Sequence, residues 1–177
     1  KVMVSSDENE IPSPKIRKME AKKPAESLTT STHIVLPNDT NTLGNLMGGQ
    51  LLHWMDATAA VCAHRHAGRV VVTASVNHVA FNHPIKLGDF VTLEAKVSRA
   101  FTSSMEVYID VMVDDHRTKK RIKCNEAIYT FVAVDQYGSP IDIPQISPET
   151  DVEKERFDAA LRRKQLALIL AGKMKPD

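Results

Sequence analysis

LGNLMGGQLLHWMDATAAVCAHRH, residues 43–66, is the stretch that decides the fold. It contains Leu51, Leu52, Trp54, Met55, Ala57, Ala59, Ala60, Val61, Cys62 and Ala63, with no proline and no glycine after Gly49. Apolar residues fall on nearly every face at helical spacing, which predicts a helix over about 47–66 that is surrounded by protein. Its alanines leave room for a sheet to wrap closely around it. Upstream, LTTSTHIVL (28–36) is rich in β-branched residues and stops at Pro37, predicting a first strand, and PNDTNTLGNLMGG (37–49) is a polar, glycine-punctuated loop. Downstream, strand-like runs at about 70–81, 90–100, 104–114 and 121–134 are separated by HPIKLGD, AFTSS and DDHRTKK. Over 148–171, Phe157, Ala160, Leu161, Leu168 and Leu170 among many charges predict a second, amphipathic helix.

Consecutive strands joined by short turns pair antiparallel, and a helix apolar all round must be covered on most sides. The expected class is therefore α+β: an antiparallel sheet wrapped around a central buried helix, with an extra C-terminal helix. Residues 1–27, with Pro12, Pro14 and Pro24 among charges, are expected to form a tail or an arm packed on a neighbour. Residues 28–145 form the domain and 146–177 a helical extension.

Composition narrows the function. The 177 residues fit one domain, and 42% hydrophobic content suffices for one core. Lys and Arg number 23 against 22 Asp and Glu, a net charge of +1 that argues against a nucleic-acid binder while leaving room for a small anionic ligand. Cys62 and Cys124 sit in apolar segments, as buried free thiols of a reducing compartment do. No stretch is long and apolar enough to span a bilayer, and KVMVSSDENE lacks the apolar core of a signal peptide, so a cytoplasmic protein is expected, with no membrane partner. His64 and His66 stand two apart on a helix and point in different directions, so no metal site is expected. His53 reads as a packed core histidine.

Gly48 and Gly49 stand at the predicted helix start, where the first N–H groups lack intrahelical partners and the dipole is positive. A thioester carbonyl placed there would be polarised, and the oxyanion formed on attack stabilised. Two glycines could equally serve only to pack the loop closely. Asp56 shares a helix face with Leu52, Ala59, Ala60 and Ala63. Desolvation there would suit it as a general base, and pairing with a buried donor would make it structural. Gly48 and Asp56 are eight residues apart, about 12 Å along a helix. Either Asp56 is not catalytic or its partner site is on another subunit, related by a two-fold axis.

The element order, with LGNLMGGQLLHWMD (43–56), TASVNHVAFNHPIKLGD (73–89), TSSMEV (102–107) and NEAIYTFVAVD (125–135), resembles the acyl-CoA thioesterases (acyl-CoA hydrolases) of the hot-dog superfamily, specifically the brain-type and YciA-like group. The resemblance covers roughly 28–140. It implies the hot-dog fold and hydrolysis of acyl-CoA to free fatty acid and coenzyme A, with no metal or redox cofactor. It further implies that Asn45, just before the Gly48-Gly49 pair, positions water or thioester, while Asp56 of the facing subunit acts as base or nucleophile. By the same resemblance Thr102, Ser103 and Ser104 line the CoA groove and Asn77 borders the tunnel. Arg99 is among the cations available to the CoA phosphates. Self-association as a dimer, and as a hexamer built from three dimers, is implied too. A non-catalytic acyl-CoA-binding regulator on the same fold is the alternative, one that could dispense with Asp56.

Overall fold

The computed structural model describes residues 19–79, 81 and 83–175. Most of the expected N-terminal arm, residues 1–18, lies outside the described residues. The chain runs through β1 (Thr29–Ile34), α1 (Gly48–Ala67), β2 (Val70–Asn77), β3 (Phe90–Ala100), β4 (Ser104–Asp114), β5 (Arg121–Val134) and α2 (Asp151–Leu170). The five strands form one antiparallel sheet in the order β1-β3-β4-β5-β2.

Strand alternation splits the sheet into two different faces. Met105, Val107, Ile109 and Val111 of β4, with Ala127, Tyr129, Phe131 and Ala133 of β5, are buried on one face against Leu51, Met55, Ala59, Cys62 and Ala63 of α1. The intervening residues of β4 carry Glu106, Tyr108 and Asp110, which meet α2 on the other face. α1 ends at Gly68, whose left-handed φ of 62° suits a residue without a side chain and lets its N–H close on the His64 carbonyl at 2.8 Å.

The structure departs from the sequence reading in four ways. β2 ends at Asn77, four residues short of the expected strand. α1 is covered on most sides, as expected, but keeps one exposed stripe formed by His53, Ala57, Val61 and His64. His53 is therefore exposed, and the histidine that packs here is His33, stacked on Trp54 at 4.3 Å. Residues 22–27 of the expected arm belong to the domain. Lys22 bonds through its backbone to Gln145 and Ser147, and buried Ser27 accepts the Val97 N–H at 3.0 Å.

The fourth departure concerns α2, which docks by charge more than by an apolar stripe. Of its residues only Ala160 is buried, while Leu161, Leu166 and Leu170 are exposed. Arg163 makes two bonds to Glu106, at 2.7 and 2.9 Å, and Arg156 makes two to Asp110, at 2.9 and 3.1 Å, while lying over the Tyr108 ring. Thr150 and Glu153 close a capping box at its start.

Candidate active site

The loop before α1 is held at both ends. The Met47 N–H bonds to the Asp39 carbonyl at 2.8 Å, and the Leu46 N–H to the Ile85 carbonyl at 2.7 Å. Inside it, the Asn41 N–H reaches the Asn45 carbonyl at 2.8 Å, while the Asn41 side-chain oxygen accepts the N–H groups of Leu43 and Asn45 at 2.9 and 3.2 Å. Those bonds fix which end of the Asn41 amide is oxygen, and no partner among the described residues takes its NH2 group. Asn45 accepts a bond on its side-chain oxygen from the Lys86 ammonium, and no partner among the described residues takes its NH2 group either.

Met47, the N-cap of α1, supplies no side-chain cap, and no acceptor among the described residues engages the Gly48 or Gly49 N–H. A Cβ added at Gly48 would lie 3.2 Å from the Phe81 ring, whereas one at Gly49 would meet nothing within 4 Å. Close packing thus accounts for Gly48 and leaves Gly49 as open backbone. A cavity of about 360 Å³ lies against this helix start, lined by Asn41, Asn45, Gly48, Asn125 and His83 beside the apolar Leu46, Leu51, Phe81, Pro84, Ile85 and Cys124. Burial pushes the Cys124 thiol up to about 11, so it is a wall and not a nucleophile at neutral pH.

Asp56 lies two turns further along the unbroken helix and is half-buried, less enclosed than its apolar neighbours suggest. Thr73 of β2 donates its hydroxyl to Asp56 Oδ1 at 3.0 Å. Between Thr73 and Ser75 the β2–β5 register shifts by one residue, a bulge that turns Thr73 toward α1 and Ser75, two residues on, away. Burial, and after it the charge of Asp56, pushes the Tyr129 hydroxyl up to about 12; that hydroxyl donates to the Leu52 carbonyl at 3.3 Å. Asp56 does not line the cavity that holds Asn41 and Asn45.

The residues expected at the CoA groove gather elsewhere. Asn77 and Ser104 line a cleft of about 160 Å³ between the sheet and α2, together with Thr130, Arg163 and Lys164, whose ammonium donates to Ser104 Oγ at 3.2 Å. Thr102 and Ser103 spend their carbonyls on the N–H groups of Ile143 and Ala133 and lie beside that cleft in sequence without lining it. Arg99 is committed to α2: it donates to the Phe157 carbonyl at 3.0 Å and stacks 3.9 Å from the Phe157 ring. Asn41, Thr73 and Asn125 were not singled out from sequence, although each lies in or beside a segment that the sequence reading quoted. Asp89, Asp115 and His116 also cluster, but the bonds are mutual or local, with His116 Nδ1 on Asp89 at 2.9 Å and the Asp115 carboxylate held down to about 2 by the Arg117 and Thr118 N–H groups.

A family model described as the Thioesterase superfamily matches residues 43–120. The uncharacterized acyl-CoA thioester hydrolase YkhA of Bacillus subtilis is 39% identical over 138 residues, covering 78% of this chain and 80% of that protein. This chain belongs to the thioesterase superfamily. Its sheet and central helix are the hot-dog fold of that superfamily. The thioesterase chain is also 42% identical over 144 residues to the mouse acyl-coenzyme A thioesterase 11, covering 81% of this chain and only about a quarter (24%) of that relative's length. Among solved structures, an apo hexameric acyl-CoA thioesterase superposes with a TM-score of 0.83 at 38% identity, covering 86% of this thioesterase and 98% of that chain. An acyl-CoA hydrolase of Staphylococcus aureus, in complex with butyryl coenzyme A, coenzyme A and coenzyme A disulfide, gives 0.79 at 39% identity, covering 86% and 95%. That hydrolase has also been solved with single alanine substitutions at an asparagine, an aspartate and a threonine, the aspartate 15 positions after the asparagine and the threonine 17 after the aspartate.

Proposed function

We propose that this chain hydrolyses acyl-CoA thioesters in a two-fold dimer, with the start of α1 from one subunit facing Asp56 of the other. The Gly48 and Gly49 N–H groups, with an asparagine amide, receive the thioester oxygen; Asp56 activates the attacking water or attacks first itself. On the first route water adds its oxygen to the carbonyl carbon and the C–S bond breaks. On the second the Asp56 carboxylate displaces the sulfur and water then cleaves the mixed anhydride. On either the sulfur leaves as CoA thiolate and takes up a proton. No metal or redox group enters this scheme.

The observation that carries the reading is the bond from Thr73 to Asp56. Counted from Asp56, the spacings of the Staphylococcus aureus substitutions fall on Thr73 and on Asn41, and both residues stand at sites described above. That coincidence favours Asn41 over Asn45 as the principal amide donor, with Asn45 beside it. Asp56 and the cavity are two turns apart on a continuous helix, which supports assembly of the site from two subunits. The surface for such a dimer is in view: the free edge of β2 exposes Val70, Val72 and Val76, and α1 exposes Val61 alongside. A hexamer of such dimers, like the hexameric relative, and the placement of the nucleotide end of CoA, beyond the pantetheine arm, along Asn77 and Ser104 belong to the same proposal.

The test is hydrolysis of an acyl-CoA panel by the parent and by Asp56→Asn. We expect turnover by the parent and a loss of at least about a hundredfold in kcat for the variant. A parent that binds CoA esters without cleaving them would replace hydrolysis with a binding role.

A further inference from the structure

The amide nitrogen of Asn125 is shielded from solvent and has no hydrogen-bond partner among the described residues. Its orientation is not arbitrary, because Asn125 Oδ1 accepts the Glu126 N–H at 2.7 Å, which leaves the NH2 end as the unpaired one. A buried donor without an acceptor is costly, and native proteins retain few of them without a use. Asn125 sits on the β5 face that carries Ala127 and Tyr129 toward α1, and it lines the same cavity as Asn41, Asn45 and Gly48. Among the described residues, that lining offers amide donors and carries no carboxylate, lysine or arginine. Such a wall suits an uncharged segment bearing carbonyl oxygens.

We infer that Asn125 is a substrate-binding residue whose Nδ2 donates to an amide carbonyl of the pantetheine arm of the thioester. This rests on the thioesterase reading above. The thioester oxygen is assigned to the helix start, and the next carbonyl along the CoA moiety is the amide two carbons beyond the sulfur. A donor on the wall of the same cavity as the helix start is where that second oxygen would be met. The interaction is present in ground and transition states alike, so its loss raises KM more than it lowers kcat.

The experiment compares three butyryl thioesters: butyryl-CoA, the N-acetylcysteamine thioester, which keeps the amide, and the ethyl thioester, which has none. Two variants are used: Asn125→Ala removes the whole amide, and Asn125→Asp keeps the acceptor for the Glu126 N–H while removing the donor. Both should raise KM about tenfold for the first two substrates with kcat within about twofold, and leave kcat/KM for the ethyl thioester unchanged. An equal penalty on the ethyl thioester, or unaltered KM for all three, overturns the inference. The acyl group of all three is changed together to the best substrate of the acyl-CoA panel if butyryl is not turned over; a parent that hydrolyses no member of the panel makes the thioesterase reading itself fail, a result distinct from parent activity with indifferent variants.

Discussion

At the scale of single residues, the site turns on which asparagine meets the thioester. The family resemblance pointed to Asn45, just before the glycine pair, and the loop geometry adds Asn41 as a second candidate at the same cavity. The Asn41 N–H bonds to the Asn45 carbonyl, so the loop folds back and brings both side chains to one cavity. The Asn41 amide is clamped by two backbone N–H groups, whereas Asn45 is tied to the flexible Lys86 side chain. A donor held by backbone is already aimed, and aim is what makes an oxyanion donor effective. Asn41→Ala should therefore lower kcat by about a hundredfold, and Asn45→Ala by less than about tenfold. Steady-state kinetics on one acyl-CoA decide it, and the reverse order would return the principal role to Asn45. Asp56 was legible as an ionisable group on an apolar face; its partner Thr73, on another element, was not.

At the scale of elements, the period of apolar residues located both helices and every strand, since strand alternation and helical spacing are local properties. What it misjudged was the docking of α2. Of the expected apolar stripe, Phe157 and Ala160 pack inward while Leu161 and Leu170 are exposed, and Arg156 and Arg163 add ion pairs to acidic residues of β4. Charges on a helix read as a solvated face until the opposite surface is known. Glu106 is almost wholly buried and also accepts the Ser98 hydroxyl at 2.7 Å, and its bond to Arg163 holds the Arg163 guanidinium above its ordinary pKa. Removing Arg163 leaves that carboxylate enclosed without its cation. Arg163→Ala should cost about 2–3 kcal/mol in urea denaturation, less than a fully buried pair would lose because Arg163 keeps some exposure. The double change Glu106→Leu, Arg163→Leu should cost less than Arg163→Ala alone; a larger loss would show that the pair itself stabilises the docking.

At the scale of the whole molecule, the separation between the start of α1 and Asp56 makes the dimer the smallest active unit in the proposed mechanism. Mixing Asn41→Ala with Asp56→Asn subunits should regain up to about a quarter of parental activity, because half of the randomised dimers are mixed and each has one intact site. No recovery after demonstrated subunit exchange would count against the shared site. The sequence by itself determined the α+β architecture, the central helix and the eight-residue offset between the glycines and Asp56, since each follows from local periodicity and helical rise. Only the tertiary structure decided that α1 keeps an exposed stripe, that β2 is a free edge, that Thr73 reaches Asp56 and that Asn125 faces the cavity unpaired. The physical reason is the same for all four. Each depends on which surfaces meet across the sheet and which are left without a neighbour, and a contact between residues distant in sequence leaves no period in the chain for a reader to find.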